Sequence, residues 1–441
     1  MKWLAPLLVC TSLAAQADML QALQAYEKKD YQTAEAKFNE LLPFGNELAS
    51  FNLAVMALNG EGQPKNRSKA LAYLMLAIEL NHPEAATTFE KLSAKSTPAE
   101  LAAAQQQFQQ LQPQVVIAQY QPEDVGAEEA LSQPVPVKYA PPSYPRDAAI
   151  KGLSGYVTLR ILVGRDGKIA AVDTLDAYPK KVFEKAAIAA MKKWRYQADG
   201  KLHVHQLQLT FALDNGLNLA KVDKLIQDYQ LWDMAVAGSS QHQWVLGTLL
   251  QMATVKSGNQ FIFDEKLPLS DKLELDFFKE QPKVTAAFDD FYGYAKVSVN
   301  EQGIITQVHT FQPDAKNKQP ELLGLQLTGH VVAGQYHLSA SPTQPTRSIR
   351  INRLQPAPIS LSSRFWWSEA AKNGDPDAQR VMATFNKDWE QHLINQQDAE
   401  AMAWAGTKLL LAGKRQQGLQ LLDQAIAKNY PLASVLKKHL I

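Results

Sequence analysis

The strongest constraint on the fold is a change of apolar period between residues 155 and 213. Apolar side chains first recur at every second position over 155–163, which is the period of a strand with one face in a core. Asp166-Gly167 supplies a hairpin turn because glycine takes positive φ readily, and a second strand follows over 169–175. Over 181–194 the apolar period becomes that of a helix, and 204–213 alternates again. The stretch predicts a small ββαβ unit.

Short motifs within 138–215 are similar to those of the C-terminal domain of TonB. In chain order they are Tyr144-Pro145, Ala148, Gly152, Gly155, Val157, Asp166-Gly167, Phe183, Ala186 and Trp194-Arg195-Tyr196. Tyr144-Pro145 also opens a short extra helix in front of the unit, since proline suits a first helical turn. The resemblance covers under a fifth of the chain, and its specificity lies in the concerted order of the motifs.

The resemblance implies binding by strand addition. Domains of this family bind outer-membrane receptors, and the short N-terminal peptide of the receptor adds as a strand to the edge of the domain's sheet. The matching edge strand here is 204–213. The partner-binding residues implied in this way are Tyr144, Pro145, Val204, Gln206, Gln208 and Thr210. The implied partners are an outer-membrane TonB-dependent transporter or another envelope protein, with an inner-membrane proton-channel complex reached through another protein. The arrangement departs from the family, because more than half of the chain follows the domain.

Helical repeats flank this domain. Residues 18–112 resemble tetratricopeptide and Sel1 repeats, with Gly60-x-Gly62 at one turn, and similar patterns return over 216–259 and 363–441. Adjacent repeats normally stabilise one another, but these are scattered along the chain. The sequence therefore allows two arrangements: the repeats pack together across the inserted domains, or short helix pairs pack against those domains.

Two further segments separate the repeats. Residues 113–137 are rich in Pro and Gln and favour extended chain, which predicts a linker. Residues 260–362 carry strand signals, among them 272–277 and 323–331, and 300–303 is typical of a hairpin turn. They predict a second, antiparallel β domain, a small sandwich that resembles no family. The expected fold class is α+β and multidomain.

The N-terminus predicts export to the periplasm. A positive start, a short apolar run and Ala15-Gln16-Ala17 are typical of a signal peptide over 1–17, cleaved before Asp18. The apolar run is shorter than the roughly 20 residues that a membrane span needs. The single cysteine, Cys10, lies inside it, and lipidation of Cys10 is the alternative. Lys+Arg 45 against Asp+Glu 44 gives no electrostatic case for nucleic acid or an anionic membrane.

No motif points to catalysis or to a cofactor. The chain contains no Gly-rich phosphate loop, no Gly-x-Ser-x-Gly and no His-Glu-x-x-His, which predicts a protein that is not an enzyme. His203-x-His205 has a spacing that could hold a metal, but two ordinary histidines are favoured. Asp289-Asp290 beside aromatic residues could act on carbohydrate, although a loop explains the pair as well.

These observations favour a periplasmic TonB-like protein that binds partner peptides by strand addition and supports transport across the envelope. The alternative is a non-energised periplasmic adaptor that binds proteins through its Sel1-like repeats. A third hypothesis, a carbohydrate- or peptidoglycan-acting protein, rests only on Asp289 and Asp290.

Overall fold

The structure is a computed structural model that describes residues 18–117, 134, 136–211, 218–264, 272–279, 281–313, 317–340 and 349–441. The expected signal peptide over 1–17, with Cys10, lies outside the described residues, as do 118–133 of the expected linker. Among the residues that are described, no helix has the length and apolar character needed to cross a membrane.

The N-terminal part is a set of helices: α1 (Met19–Glu27), α2 (Tyr31–Leu41), α3 (Glu47–Asn59), α4 (Arg67–Glu79), α5 (Ala85–Ser93) and α6 (Pro98–Leu111). Side chains of Asp18, Asp30, Asn46 and Asn66 accept backbone N–H groups at the starts of α1 to α4, which satisfies donors that have no intrahelical partner. Buried alanines from α1 to α4 let the helices approach closely around larger apolar residues such as Phe38 and Leu53.

The TonB-like stretch forms β1 (Pro136–Lys138), α7 (Arg146–Ile150), β2 (Gly155–Val163), β3 (Ile169–Tyr178), α8 (Glu184–Met191), β4 (Arg195–Tyr196) and β5 (His203–Phe211). We call residues 136–211 the first sheet module. Its three-stranded sheet has the order β3-β2-β5 and is antiparallel throughout. β1, which begins inside the range expected to be a linker, pairs with β4.

The next helices are α9 (Leu219–Asp228), α10 (Leu231–Val236) and α11 (Ser240–Ser257). They lead into β6 (Gln260–Asp264), β7 (Val284–Ala286), β8 (Gly293–Val299), β9 (Ile305–Pro313), β10 (Leu327–Gly329), β11 (Gly334–Ala340) and β12 (Arg350–Pro358). Five of these strands form one sheet in the order β6-β12-β11-β8-β9, and β7 pairs with β10.

Two expectations for this second sheet are corrected. The sheet is mixed rather than antiparallel, because β6 runs parallel to β12. The expected strand over 272–277 is instead a 3₁₀ turn, Leu275–Phe278, whose buried Leu275 and Phe278 pack among the neighbouring helices. An apolar run of this length fits a short strand or a buried turn equally well, and tertiary packing decides between them.

The C-terminal part is helical again, with α12 (Ser363–Lys372), α13 (Pro376–Met382), α14 (Lys387–Asn395), α15 (Ala399–Leu411), α16 (Arg415–Ala427) and α17 (Ala433–Leu440). Helices that are far apart in sequence pack together here. Asn46 before α3 donates to Asn373 after α12 at 2.7 Å, and Asn373 donates to Gln243 of α11 at 2.8 Å. The Asp18 carboxylate also accepts the backbone N–H and hydroxyl of Ser240. The scattered helices therefore form one array across the inserted sheets.

The first sheet module is held by this array on one face and by its own helix on the other. Val157, Leu159 and Ile161 of β2 are buried against α8 residues such as Ala187 and Met191. On the opposite face, Leu162 of β2 and Ala171 of β3 belong to the core of α15 to α17. Both faces of the central strand are therefore covered, and the outer strands β3 and β5 form the two edges of the sheet.

Candidate functional site

The candidate site is the outer edge of β5. β2 is the central strand, and β5 pairs with it over nine positions, from Gly155↔Phe211 to Val163↔His203. On the other side of β5, no strand or hydrogen-bonded loop is present within the described part of the chain. The matching expectation was a strand over 204–213. Of that range, 212 and 213 lie outside the described residues. An unpaired edge of this kind is a template for a further strand.

The direction of the β5 N–H groups follows from the β2–β3 hairpin. Gly164 donates its N–H to the carbonyl of Lys168 at 2.7 Å, so the N–H of Gly164 points toward β3. Because successive N–H groups of a strand point to opposite sides, those of Leu159 and Val157 point toward β5. Their partners Leu207 and Leu209 complete these hydrogen-bonded pairs. The N–H groups at positions 204, 206, 208 and 210 consequently face the open edge.

The side chains of β5 divide between the two faces of the sheet. Leu207, Leu209 and Phe211 join the core under α8. Val204 packs on the opposite face with the C-terminal helices. Gln208 lies on that face too, where its Oε1 accepts from Nε2 of Gln251 in α11 at 3.1 Å. Its own Nε2 is buried and has no hydrogen-bond partner, so α11 holds one end of this amide and leaves the other unsatisfied.

Tyr144 and Pro145 do not lie along the edge. The ring of Tyr144 packs edge-on against Phe183 and Phe211, at centroid distances of 5.6 and 6.0 Å, and its hydroxyl donates to the carbonyl of Leu153. Pro145 precedes the first residue of α7. The structure thus groups Val204, Gln206, Gln208 and Thr210 on one strand and places Tyr144 at that strand's C-terminal end.

A small cleft of about 10 Å³ opens beside this end of β5. Its walls are Ser154, Gly155, Tyr156, Thr210, Phe211, Met252, Val255 and Lys256. Thr210 is exposed, whereas Tyr156 is buried and donates its hydroxyl to Asp176 at 2.5 Å. The cleft lies where α11 meets the sheet, and its volume is about that needed to hold one water molecule.

Sequence reasoning missed a buried ionic cluster that fixes the sheet to the C-terminal helices. Arg160 of β2 lies 2.9 Å from Glu400 of α15 and 3.3 Å from Asp173 of β3. Its guanidinium stacks over the ring of Trp404, with 4.4 Å between the central carbon and the centroid. Asp173 also accepts from Trp404 Nε1 and from the hydroxyl of Tyr430, each at 2.6 Å. An arginine in a buried strand was the available signal, because a buried charge requires partners.

The same burial shifts the pKa of two members of the cluster. Desolvation is the main cause that raises the pKa of Glu400 to about 7, and the charge of Asp173 adds to it while Arg160 opposes it. Desolvation, followed by the charge of Asp173, also raises the pKa of Tyr430 far above its usual value. The Tyr430 hydroxyl is therefore a fixed donor at neutral pH.

The other candidate residues are not drawn together into a site. His203 contacts Asp199 at 2.8 Å, and the ring of His205 packs against Tyr196. No group of three or more His, Cys, Asp or Glu is placed to hold a metal ion in the portion of the chain that is described. Asp289 and Asp290 are both exposed in a loop before β8, and the carbonyl of Asp290 accepts the N–H of Lys318.

Comparison with known proteins confirms the resemblance of the first sheet module. Residues 140–212 match the family described as Gram-negative bacterial TonB protein C-terminal. Protein TonB of Pseudomonas aeruginosa is 32% identical over 79 residues, which are 17% of this chain and 23% of that protein. Protein TonB of Klebsiella aerogenes is 38% identical over 67 residues, 15% of this chain and 28% of that protein.

Among solved structures, the solution NMR structure of the Pseudomonas aeruginosa TonB CTD is 27% identical, and the match covers 19% of this chain and 89% of that chain with a TM-score of 0.18. The chain spans about a quarter of the length of the two curated relatives. The matched region contains α7, β2, β3, α8, β4 and β5.

Proposed function

We propose that this chain is a periplasmic TonB-like protein that binds an extended peptide by adding it as a strand to β5. The partner would be an outer-membrane transporter or another envelope protein, and the binding would support transport across the envelope. The helical array would serve as the scaffold that holds the sheet. After export by a cleaved signal peptide, the protein would act without catalysing a reaction and without a cofactor.

The single observation that carries this proposal is the outer edge of β5, with which no strand of the described residues pairs, in a module that matches the C-terminal family of TonB. Four N–H groups, at Val204, Gln206, Gln208 and Thr210, face that edge by the alternation of the strand. In strand addition, main-chain hydrogen bonds give the affinity and side-chain pockets give the specificity.

The alternative is an adaptor that binds proteins through its helices. It is favoured by the size of the helical array, which draws on three separate parts of the chain. Repeats of paired helices commonly bind partners on an extended surface. In that case β5 would be only an exposed edge, and a change there would leave binding intact.

Proline substitutions on β5 test strand addition. Gln206→Pro removes an N–H that faces the open edge, a position where a strand tolerates proline. We expect the full mature chain to keep its circular dichroism melt and to bind N-terminal peptides of outer-membrane transporters about fivefold more weakly, since a lost hydrogen bond is worth about 1 kcal/mol. Titration by fluorescence anisotropy measures the affinity.

Two variants serve as controls. Gln206→Ala keeps the N–H and should bind the same peptides as the unaltered chain does. Leu207→Pro removes an N–H that faces β2 and should lower the melting temperature. If Gln206→Pro folds and binds each transporter peptide with unchanged affinity, the edge is not the binding surface, and the adaptor function gains support.

A further inference from the structure

Residues 284–340 repeat the strand topology of the first sheet module. β8, β9 and β11 form an antiparallel set in the order β9-β8-β11, as β2, β3 and β5 do in the order β3-β2-β5. Ahead of each set stands a short strand that pairs with a short strand later in the chain, β1 with β4 and β7 with β10. All five strands of the first module thus have a counterpart in the same chain order.

The register of the two sheets also agrees. Gly155-Tyr156 begins β2 and Gly293-Tyr294 begins β8. In both modules the tyrosine lies opposite a hydroxyl residue of the third strand: Tyr156 opposite Thr210 of β5, and Tyr294 opposite Ser339 of β11. On the other side, the pairing of each central strand with its hairpin partner shifts register after the fourth residue of the central strand, between Thr158 and Leu159 in one case and between Lys296 and Val297 in the other. The extra residue lies in the outer strand, β3 or β9. Topology alone would not require these coincidences.

The hairpin turns agree down to single hydrogen bonds. Asn300 donates to the carbonyl of Ile304 at 3.0 Å, as Gly164 donates to that of Lys168. The turn glycine of each hairpin has positive φ, and its carbonyl accepts the N–H of the later short strand: Gly167 from Tyr196 at 2.8 Å and Gly303 from Leu327 at 2.7 Å. A Cβ would lie 2.1 Å from the Tyr196 carbonyl at Gly167 and 2.2 Å from the Leu327 carbonyl at Gly303. Both turns require glycine for the same reason.

The two modules differ at the edge that matters for binding. In the first module no strand of the described residues pairs with the outer side of β5, but in the second the outer side of β11 carries β12. The pairing is antiparallel and joins five residues of β11 to five of β12, from Gln335↔Leu354 to Ser339↔Arg350. Pro356 and Pro358, which cannot donate, fall beyond the end of this pairing, where no N–H is needed.

We propose that residues 284–340 are a second copy of the strand-accepting module and that β12 is a strand bound in cis at its acceptor edge. The chain then has two acceptor edges, one filled by its own segment and one open on β5. This inference rests on the proposed function only for the open edge, because the contact between β11 and β12 belongs to the fold itself.

Occupation in cis explains why external peptides would not reach β11. A segment joined to its site by a short connection competes at an effective concentration on the order of millimolar. A free transporter peptide at micromolar concentration, which the proposed function assigns to β5, would therefore leave β11 alone. If the link between β12 and β11 is weakened, the second edge should accept the same segment supplied in trans.

The test uses the full chain and a labelled synthetic peptide of residues 349–358. The hydrogen bond of Asn300 fixes the direction of the N–H groups in β8, and the strand pairing carries this alternation through β11 to β12. The N–H of Asn352 therefore faces β11. The N–H of Arg353 faces the opposite side, where pairing with β6 begins only at the next residue, Leu354. Asn352→Pro should release β12, and the chain should then bind the peptide with one-to-one stoichiometry, measured by anisotropy. In the unaltered chain and in the matched variant Arg353→Pro, β12 stays in place and the peptide should bind at least about tenfold more weakly than it does to Asn352→Pro. That ratio corresponds to the one or two hydrogen bonds between β12 and β11 that Asn352→Pro removes.

A second measurement needs no variant. In residue-resolved hydrogen exchange of the unaltered chain, the amides of Gln335, His337 and Ser339 should be protected by β12, and those at 206, 208 and 210 should exchange at least about tenfold faster. Equal exchange on the two edges would overturn the proposal, as would peptide binding that is the same in both proline variants or absent from Asn352→Pro. Transporter peptides report separately on the proposed function, since they should respond to Gln206→Pro and not to Asn352→Pro.

Discussion

Replacing Arg160 by leucine should detach the first sheet module from the C-terminal helices. Arg160 is the cation between Asp173 and Glu400, and its side chain is only 6% exposed. Breaking a buried ion pair by removing one partner costs about 3–5 kcal/mol, because the other charge stays buried without compensation. Here Asp173 keeps hydrogen bonds from Trp404 and Tyr430. Glu400 is 30% exposed and has a pKa of about 7, so it can take up a proton. We therefore expect the low end, about 3 kcal/mol.

The assay is urea unfolding of the full chain at pH 7.5, followed by tryptophan fluorescence. The matched control is Lys168→Met in the same module, since Lys168 pairs with Asp166 in an exposed ion pair that should contribute under about 1 kcal/mol. A double-mutant cycle with Glu400→Gln should show that the two changes are not additive, with a coupling of about 1–2 kcal/mol. An Arg160→Leu variant as stable as Lys168→Met, or strict additivity, would refute the role assigned to the cluster.

Three further predictions concern stability. Trp194→Ala should cost about 3–5 kcal/mol in urea unfolding, because Trp194 is buried and donates its Nε1 to the carbonyl of Ala140 at 2.8 Å; an unchanged unfolding midpoint would place it outside the core. Gly167→Ala should lower the melting temperature far more than Gly152→Ala, since both have positive φ but only at Gly167 would a Cβ meet a backbone atom; equal effects would contradict this. The raised pKa of Glu400 means that the folded state holds this proton more tightly, so its contribution to stability is greatest below about pH 4.5 and declines until about pH 7. Glu400→Gln should therefore gain stability relative to the unaltered chain as the pH rises from 5 to 8, measured as the difference in melting temperature.

The local parts of the first sheet module could be predicted from the sequence. The alternation over 155–163, the turn at Gly167 and the helical period before Trp194 depend on near neighbours, and the structure places β2, the hairpin and α8 there. β1 and β4 could not be predicted in this way. They are three and two residues long, and their pairing joins segments that are far apart along the chain. Short strands of that kind carry too few residues for a period to be recognised.

The ionic cluster escaped prediction for a related reason. Arg160 and Glu400 are 240 positions apart, and each looks like an ordinary polar residue of an amphipathic element. Their meeting depends on how the sheet docks on α15, which no local pattern specifies. The edge itself was predictable from the family resemblance, but the direction of its N–H groups needed the register and the hairpin hydrogen bond.

The second module could not be recognised from the sequence because it lacks features that mark the first. Between β9 and β10, the described residues 317–326 form no helix, so the helical period that marks the first module is missing from this part of the second. Where the first has Trp194-Arg195-Tyr196, the second has Leu325-Gln326-Leu327, placed by the shared hydrogen bond to the turn glycine. Only Gly-Tyr at the start of the central strand and the turn glycine remain, and two such short motifs are too common to indicate a copy.

The contrast between the two edges bears on why one of them stays open. An exposed strand edge invites aggregation, and proteins usually cover it, shorten it or place charges along it. The second module covers its edge with β12, and in the described residues β5 has neither a covering strand nor a charged side chain from 206 to 211. Both faces of the first sheet are meanwhile fixed, one by α8 and the other by the cluster around Arg160. The second module thus shows that this fold can cover its acceptor edge with a strand of its own chain. An uncovered edge on β5 is what strand addition by another protein requires, and the contacts around β5 are consistent with it.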